Sequence, residues 1–268
     1  MTVLANYAGA ALAVVHRDMT TFFSYRTLFL TQLFGSIFSL TIFYYVAQLV
    51  QIETFPTPES YFGFVVVGLV IGLVLQSALS GPTLLRQELV AGTFERMLVS
   101  PLGPVGGVLS MMIFPLLYSI AQAAATFVIA ATAFGLSVEF PGAFLAVPVA
   151  IGGALAFASM AMFFVAIVMV FKQGLGMSWV TAGITLVSGV YFPIALLPGW
   201  LRWASDVQPF TATVELTRHL LIDTPLTGSV LGTLVTLVAF ISVLAPLGCL
   251  ALTWAVQISR RRGTIIEY

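Results

Sequence analysis

The feature that most constrains this chain is a succession of long stretches without a charged residue. No Asp, Glu, Lys or Arg occurs at positions 97–138, 140–171 or 224–259. Each stretch exceeds the roughly 20 residues that a helix needs to cross a bilayer. Over the whole chain 60% of the residues are hydrophobic and 7% are charged, whereas a soluble globular domain carries about 25% charged residues. So few charges cannot cover a water-soluble particle, and the sequence predicts an all-α integral membrane protein.

Six apolar segments are predicted to cross the membrane as helices. They cover residues 28–50, 61–80, 105–135, 143–171, 175–197 and 228–258. Pro115 is expected to kink the third of them. Because the number of spans is even, both ends of the chain are predicted to lie on the same side. Without a recognisable soluble domain, residues 1–268 are interpreted as a single transmembrane domain.

Residues 1–26 precede the first span and mix charged with apolar side chains. This pattern is typical of an amphipathic helix that lies at the membrane interface, although an ordinary polar lead-in to the first span fits equally well. The apolar run at 8–15 has no Lys or Arg before it, so no secretory signal peptide is expected.

Residues 86–101 are a charged interruption between two apolar runs. Four charged side chains fall within eleven positions: Arg86, Glu88, Glu95 and Arg96. A segment with these charges cannot cross hydrocarbon and is predicted to lie in water at the membrane surface. Four apolar side chains recur there at roughly helical spacing: Leu89, Phe94, Met97 and Leu98. This spacing predicts one short amphipathic helix, ended by Pro101, that offers its charges and a small apolar face. A solvated loop is the simpler alternative; we expect a docking element for a motor on another chain.

Helix continuity is interrupted before the last span, at Pro193 and again at Pro198. The region 192–224 is therefore predicted to form short re-entrant helices. One of these helices would carry three polar side chains on one side: Glu215, Arg218 and His219.

The basic residues indicate the orientation. Eight of the ten Lys and Arg residues would lie on the face that carries both termini, and only Arg202 and Arg218 on the other face. Cytoplasmic loops of membrane proteins are enriched in Lys and Arg. Both termini, the segment 86–101 and Lys172 are therefore predicted to be cytoplasmic, in a bacterial-type cytoplasmic membrane.

Several functional classes are disfavoured by composition. The net charge is zero, so no nucleic-acid partner is expected. One cysteine and two histidines do not make a credible structural zinc site, and no metal is expected. The single Cys249 cannot form a disulfide within the chain.

The order of these features resembles the membrane subunits of type 2 ABC exporters, which move drugs, lipids or lipid-linked glycans. Two stretches carry the resemblance: RQELVAGTFERMLVSP at 86–101, and SGVYFPIALLPGWL at 188–201, which is followed by Gln208-Pro209-Phe210 and Arg218. The family often has Asn where Gln208 stands. The resemblance covers nearly the whole chain and implies six spans, a cytoplasmic coupling helix and re-entrant helices in one permease domain.

The resemblance implies that two copies of an ATPase subunit, which bind ATP and magnesium, drive a pair of membrane subunits, with a homodimer as the default. The sequence agrees, because a phosphate-binding loop needs Gly-Lys-Ser/Thr and the only lysine, Lys172, lies between Phe171 and Gln173. This chain is expected to be a permease subunit in contact with membrane lipids, with no cofactor and no catalytic residue of its own.

The resemblance also implies roles for individual residues. The contacts to the ATPase are expected at Arg86, Glu88, Gly92, Thr93, Glu95 and Arg96, with Lys172 as a second contact. A gate at the cytoplasmic mouth is expected at Arg17, Tyr25 and Arg26. The substrate path is expected along Phe38, Tyr44, Tyr45, Tyr191 and Phe192, although packing or lipid contact explains any one of these aromatic side chains more simply. The re-entrant helices are expected to be held in place by Glu215, Arg218 and His219.

Two other functional classes are weighed against this interpretation. An intramembrane hydrolase would use Ser188 as nucleophile and His219 as base, but the serine lacks a Gly-x-Ser-x-Gly setting. An ion-coupled transporter usually places ionisable groups in the middle of its spans, and the centres of the six predicted spans carry no charge.

Overall fold

The computed structural model describes residues 2–24, 26–50, 55–137, 140–171, 177–226 and 228–262, with the backbone alone for residues 2–6, 26, 28, 29, 140, 141, 177 and 178. The described residues form eleven α-helices: α1 (Thr2–Ser24), α2 (Arg26–Leu49), α3 (Pro58–Ala78), α4 (Gly81–Val90), α5 (Phe94–Leu98), α6 (Gly103–Ala133), α7 (Phe140–Phe171), α8 (Met177–Val187), α9 (Gly199–Asp206), α10 (Pro209–Ile222) and α11 (Val230–Arg261). A 3-10 helix, Ile194–Leu196, precedes α9. The fold is all-α, as the sequence predicts.

Within these ranges, five helical segments are long and apolar enough to cross a membrane: Leu30–Leu49, Pro58–Val90, Gly103–Ala133, Gly142–Phe171 and Val230–Arg261. They coincide with five of the six predicted spans. Pro115 lies inside α6, where its ring removes a helical hydrogen bond, at the position of the expected kink. The N-terminal segment forms the helix α1 over Thr2–Ser24.

Helix α3 forms the centre of the bundle. It packs against α2, α6, α7 and α10. In the most apolar stretch of the segment Pro58–Val90, 78% of the residues are buried, compared with 11% in the corresponding stretches of α2 and α11. A helix that is hydrophobic on all sides is one that its neighbours surround. The apolar sides of α2 and α11 face away from the bundle, toward lipid or another subunit.

Small residues let α7 approach its neighbours closely. A Cβ atom added at Gly153 would collide with Thr213 of α10. One added at Gly248 of α11 would lie 2.7 Å from the carbonyl oxygen of Ser159 in α7. Such small residues at helix crossings are how membrane helices gain packing contacts, and here they bring α10 and α11 close to α7.

The prediction of one continuous span over residues 175–197 is wrong. Among the described residues, α8 covers Met177–Val187 and therefore ends ten residues before the predicted span does. The chain then turns at Gly189, whose φ of 79° lies in the left-handed region that favours glycine. A Cβ atom at this position would also lie 2.9 Å from the Ile194 side chain. The turn is followed by Pro193, which has no amide hydrogen to continue a helix.

The prediction of one helix over residues 86–101 is also wrong. The chain forms α4 and then α5, separated by a turn at Gly92 with a φ of 66°. The amide of Thr93 donates to the carbonyl oxygen of Glu88 at 3.0 Å, which closes the turn. Helical spacing of the apolar residues could not reveal this break, because the apolar positions on both sides of it bury against the same neighbours.

The bundle has two distinct ends. Gly81, at the start of α4, lies against Met112 and Val165, and Ser259 near the end of α11 donates to the carbonyl oxygen of Met169 at 3.2 Å. Helices α4 and α5 therefore share one end with the last turn of α11. At the other end, Gly63 of α3 lies beside Leu136 and Ile222, which places α10 opposite α4.

Candidate functional site

Helices α4 and α5 present charges because their apolar side is anchored in the bundle. Leu89, Phe94 and Met97 are buried, and Met97 lies against Gly107 of α6. The small apolar face predicted for docking is thus used inside this chain, because burying it removes apolar area from water. The other side is exposed, and its exposed side chains include Arg86, Glu95, Arg96 and Val99.

An ion pair joins this segment to the N-terminal helix. Nη2 of Arg17 lies 2.8 Å from Oε1 of Glu88, and the Glu88 side chain is only 14% exposed. Thr93 donates its hydroxyl to the other carboxylate oxygen of Glu88. Arg17 also donates from Nε to Asp18 at 2.9 Å. The predicted gate residue Arg17 and the predicted coupling residues Glu88 and Thr93 therefore form one network.

Desolvation shapes the charges of this network. Burial raises the pKa of the Asp18 carboxyl above its ordinary value, while its hydrogen bond to Arg17 acts in the opposite direction and the nearby Glu88 charge adds to the rise. Two carboxylates thus share one guanidinium, which fixes the position of Arg17 on α4.

A cavity of about 270 Å³ lies beside this network, between α1, α4 and α6. The Phe22 ring of α1 closes one side, with its centroid 4.4 Å from that of Tyr118 and 5.6 Å from that of Phe114. Pro115 of α6 also lines it. Helix α1 therefore contacts both the charged segment and the part of α6 around Pro115, a junction that sequence patterns alone could not show.

Some predicted residues fall outside this network or outside the described part of the chain. Gly92 is exposed in the turn between α4 and α5. Tyr25 and Lys172 are not among the described residues, and of Arg26 the structure describes only the backbone at the start of α2.

The predicted path aromatics divide into three environments. Phe38 and Tyr45 are both 66% exposed on α2, on the side that faces away from the bundle. Tyr44 points inward, with its ring 5.6 Å from that of Phe62 at 90°. Tyr191 stacks on Phe43 with centroids 5.9 Å apart and planes at 19°, and Phe192 is half-buried. The structure does not bring these five side chains into one surface.

Arg218 anchors the broken end of α8. It is 3% exposed and donates to three backbone carbonyl oxygens: Phe64 at 2.9 Å, Gly189 at 2.7 Å and Val190 at 2.7 Å. Its guanidinium carbon lies 3.4 Å from the centroid of the Phe64 ring. A buried charge is tolerated only where hydrogen bonds satisfy it. Here the charge in return satisfies two carbonyl groups of the turn that follows α8.

The close approach of α3 makes this anchor possible. A Cβ atom at Gly68 would lie 2.5 Å from the Val190 carbonyl oxygen and 2.6 Å from Nη2 of Arg218. The neighbouring Gly72 has open space around its Cα. Of the two glycines one turn apart on α3, Gly68 is therefore the one that the packing within this chain requires.

The other two residues of the predicted re-entrant network differ from Arg218. Glu215 attracts Arg218 electrostatically. Nδ1 of His219 lies 2.9 Å from the Thr224 carbonyl oxygen and 4.0 Å from Oδ1 of Asp223. His219 thus contacts the end of its own helix, whereas Arg218 joins α10 to α3 and to the turn after α8.

The geometry does not form the pair that the hydrolase alternative requires. The buried Ser188 hydroxyl donates to the Thr185 carbonyl oxygen at 2.6 Å. His219 makes its contact with Thr224. A nucleophile and its base must lie within hydrogen-bond reach of each other, and these two side chains have other partners.

Sequence reasoning missed the partners of the functional residues rather than the residues themselves. Glu88 and Arg17 are 71 positions apart, and Arg218 is 154 positions from Phe64. No local pattern carries such pairings. The one usable signal was Gly189 followed four positions later by Pro193, which marks the end of α8.

The model of one protein family, described as ABC-2 type transporter, matches residues 10–222. The matched stretch begins in α1 and ends at the last residue of α10, so it includes both the Glu88 network and the Arg218 anchor. No curated protein matches the chain.

Proposed function

Because this chain belongs to the ABC-2 type transporter family, and so is a multi-pass membrane component of an ABC transporter, we propose that it is the permease of an ATP-driven exporter. In this proposal residues 1–268 act as one membrane domain, whose first 26 residues lie at the interface. Its short α8 and the region 192–224 complete a sixth, broken crossing. The cargo is an amphipathic or hydrophobic molecule: a drug, a lipid or a lipid-linked glycan.

The observation that supports the proposal is that the two sides of α4 and α5 lie in different environments. Their apolar side is anchored on the bundle, and Glu95 and Arg96 project outward. A partner that grips these charges therefore pulls on the bundle itself. Exposed charges at the rim of an interface fix register and speed association, which suits a partner that must dock in one orientation.

In the proposed mechanism the energy comes from two copies of a separate ATPase subunit that bind ATP and magnesium. Closure of the ATPase pair displaces α5, and the Thr93–Glu88–Arg17 network transmits that displacement to α1. Helix α1 packs on α6, so α6 moves with it. Lys172 would form the second contact, and Tyr25 and Arg26 would complete the gate with Arg17.

The cargo would pass between two copies of this chain, in the default case a homodimer. The outward side of α2, with Phe38 and Tyr45, offers an apolar wall for that path, and Tyr44, Tyr191 and Phe192 would line its far end. Both termini and the α4–α5 end would face the cytoplasm, as the excess of basic residues there predicts.

The test is to replace Glu95 and Arg96 together with alanine and to measure ATPase stimulation in the complex with its ATPase. We expect stimulation to fall at least about tenfold, since the docking charges lie at the partner's surface. Arg261→Ala is the matched control, because this arginine is exposed at the same end of the bundle but lies on α11. Unchanged stimulation and unchanged assembly in the double variant would refute the docking role.

A further inference from the structure

A cavity of about 400 Å³ lies at the end of the bundle opposite α4 and α5. Its walls come from the last turns of α2, the first turn of α3 and the loop that follows α6. Its volume is within the range of pockets that hold small ligands, roughly 300–1,000 Å³. Neither the α4–α5 network nor the Arg218 anchor uses any of its lining residues.

Helix caps hold two of these walls in place. At the start of α3, Thr57 is the N-cap, and its side chain accepts from the Ser60 amide at 3.3 Å. At the end of α6, Gly135 has a φ of 72°, and the Leu136 amide donates back to the Ala130 carbonyl oxygen at 3.2 Å. This is the glycine-terminated helix end that fixes the following chain. A cavity formed in advance costs a ligand less to enter.

Three aromatic rings form one corner of the cavity. The centroid of Tyr44 lies 5.6 Å from that of Phe62 and 5.4 Å from that of Phe134, and the last two are 5.8 Å apart. The ring planes meet at 90°, 55° and 42°. We call these three rings the aromatic corner. Phe62 is only 3% exposed and supports the other two rings, whereas Tyr44 and Phe134 are half-buried and line the cavity. The electron-rich face of an aromatic ring attracts cations.

The charge of the cavity is negative. Glu59 lines it, and among the described lining residues there is no Lys or Arg. Glu59 lies in the first turn of α3, and its side chain is exposed.

We propose that this cavity binds an organic cation the size of a quaternary ammonium group, through the Glu59 carboxylate and the aromatic corner. An anion would meet the Glu59 charge without a compensating base. A sugar ring needs one broad aromatic face to stack on, but the rings here tilt against one another. A compact cation with apolar flanks fits both the charge and the shape.

This inference deepens the proposed function, since in an exporter the bound cation would be part of the cargo. Binding itself depends on neither an ATPase nor the α4–α5 charges. Loss of ATPase coupling in the Glu95 and Arg96 variant would therefore leave cation binding intact. A purified chain that binds the cation but never couples to an ATPase would refute the proposed function alone.

The experiment is saturation-transfer NMR on the full chain in detergent micelles, with benzyltrimethylammonium as the probe. Its neutral isostere 2,2-dimethylpropylbenzene has carbon in place of the charged nitrogen, and methyl glucoside serves as the sugar probe. We expect binding of the cation to saturate, with an affinity at least about tenfold above those of the neutral isostere and of methyl glucoside. Added salt should weaken this binding.

Variants assign the binding to the cavity. Glu59→Gln should weaken cation binding about tenfold and remove its salt dependence, whereas Glu59→Asp should retain the salt dependence. Phe134→Leu should weaken binding and keep that dependence. Asp206→Asn is the matched control, since Asp206 is exposed on α9 and does not line the cavity. The melting temperature of each variant in detergent shows that it is folded. Equal binding of the neutral isostere, preference for the glucoside, no binding, or an unaffected Glu59→Gln protein of normal stability would overturn the proposal.

Discussion

At the scale of single residues, Arg218 is the side chain that joins α10 to α3 and to the turn after α8. Its three carbonyl partners belong to α3 and to the turn after α8. It is an ionisable group deep in an apolar bundle, which in many membrane proteins marks an ion pathway. Here Arg218 donates its hydrogen bonds to backbone oxygens. This arrangement favours a structural role for Arg218 over a role in carrying protons or ions.

Replacing Arg218 with methionine should lower the free energy of unfolding by about 3 kcal/mol or more, since three buried carbonyl groups lose a charged donor. Arg218→Lys should recover only part of this loss, because one ammonium cannot reach three acceptors as the planar guanidinium does. Thermal unfolding in detergent measures both. Arg202→Met is the control: Arg202 also donates to two carbonyl oxygens, those of Ala195 and Leu197, but it is exposed. An equal effect of the two methionine variants would contradict the role assigned to burial.

Gly68 and Gly72, which lie one turn apart on α3, make a second comparison at this scale. Gly68→Ala should destabilise the protein by about 2 kcal/mol, because the added methyl group must displace Arg218 or the Val190 carbonyl group. Gly72→Ala should be neutral, or stabilising by up to about 1 kcal/mol, because alanine favours helix and nothing lies within reach of its Cβ. The same unfolding assay distinguishes them. A loss of stability in Gly72→Ala would show that this glycine packs against another copy or subunit.

At the scale of elements, the break between α4 and α5 depends on one backbone conformation. Gly92→Ala should cost about 1 kcal/mol of stability, since φ is positive there. Gly103→Ala, with a φ of 63° and equally open surroundings, should cost a similar amount. If the turn orients the docking charges, only Gly92→Ala should reduce ATPase stimulation in the assembled complex. Equal stimulation in the two variants would show that the turn at Gly92 has no specific role in coupling.

The attachment of α1 to α4 can be tested by exchanging charges. Arg17→Glu and Glu88→Arg should each reduce ATPase stimulation, because each places like charges side by side. The doubly exchanged protein should regain part of the lost stimulation, since the pair is restored in reverse. Thr93→Val provides a milder change, because it removes only the hydroxyl bond to Glu88. A double variant no better than the worse single one would mean that Arg17 and Glu88 act independently.

Elements differ in how far the sequence could predict them. Long uncharged runs predict α2, α3, α6, α7 and α11 well, because lipid leaves a helix as the only solution for such a run. The ends of α8 and of α4 were missed, since each depends on a glycine with positive φ whose partners are distant in sequence. Charged residues were informative because the chain has few of them: Arg218 and Glu88 are notable simply as charges in an apolar sequence. Their partners follow from helix packing, which one sequence does not reveal.

At the scale of the whole molecule, the proposed orientation makes a direct prediction. In a Cys249→Ala background, Val99→Cys at the α4–α5 end and Ala195→Cys after α8 should react with a membrane-impermeant maleimide from opposite sides. Both positions are exposed. Val99→Cys should be labelled only in inverted vesicles and Ala195→Cys only in right-side-out vesicles or intact cells. Labelling of both from one side would exclude the proposed topology, and the reverse pattern would place α4 and α5 outside the cytoplasm and refute their docking to an ATPase.

The break after α8 and the side chain of Arg218 depend on each other and should be inherited together. Without Arg218, the oxygens at Gly189 and Val190 would face hydrocarbon unsatisfied; without the interruption, a guanidinium would be left there with too few acceptors. Neither can be lost alone without penalty. A descendant sequence in which an ordinary helix-forming residue replaces Gly189 should therefore also have exchanged the arginine for an apolar side chain, and this paired exchange can be sought in any collection of relatives before a single protein is purified.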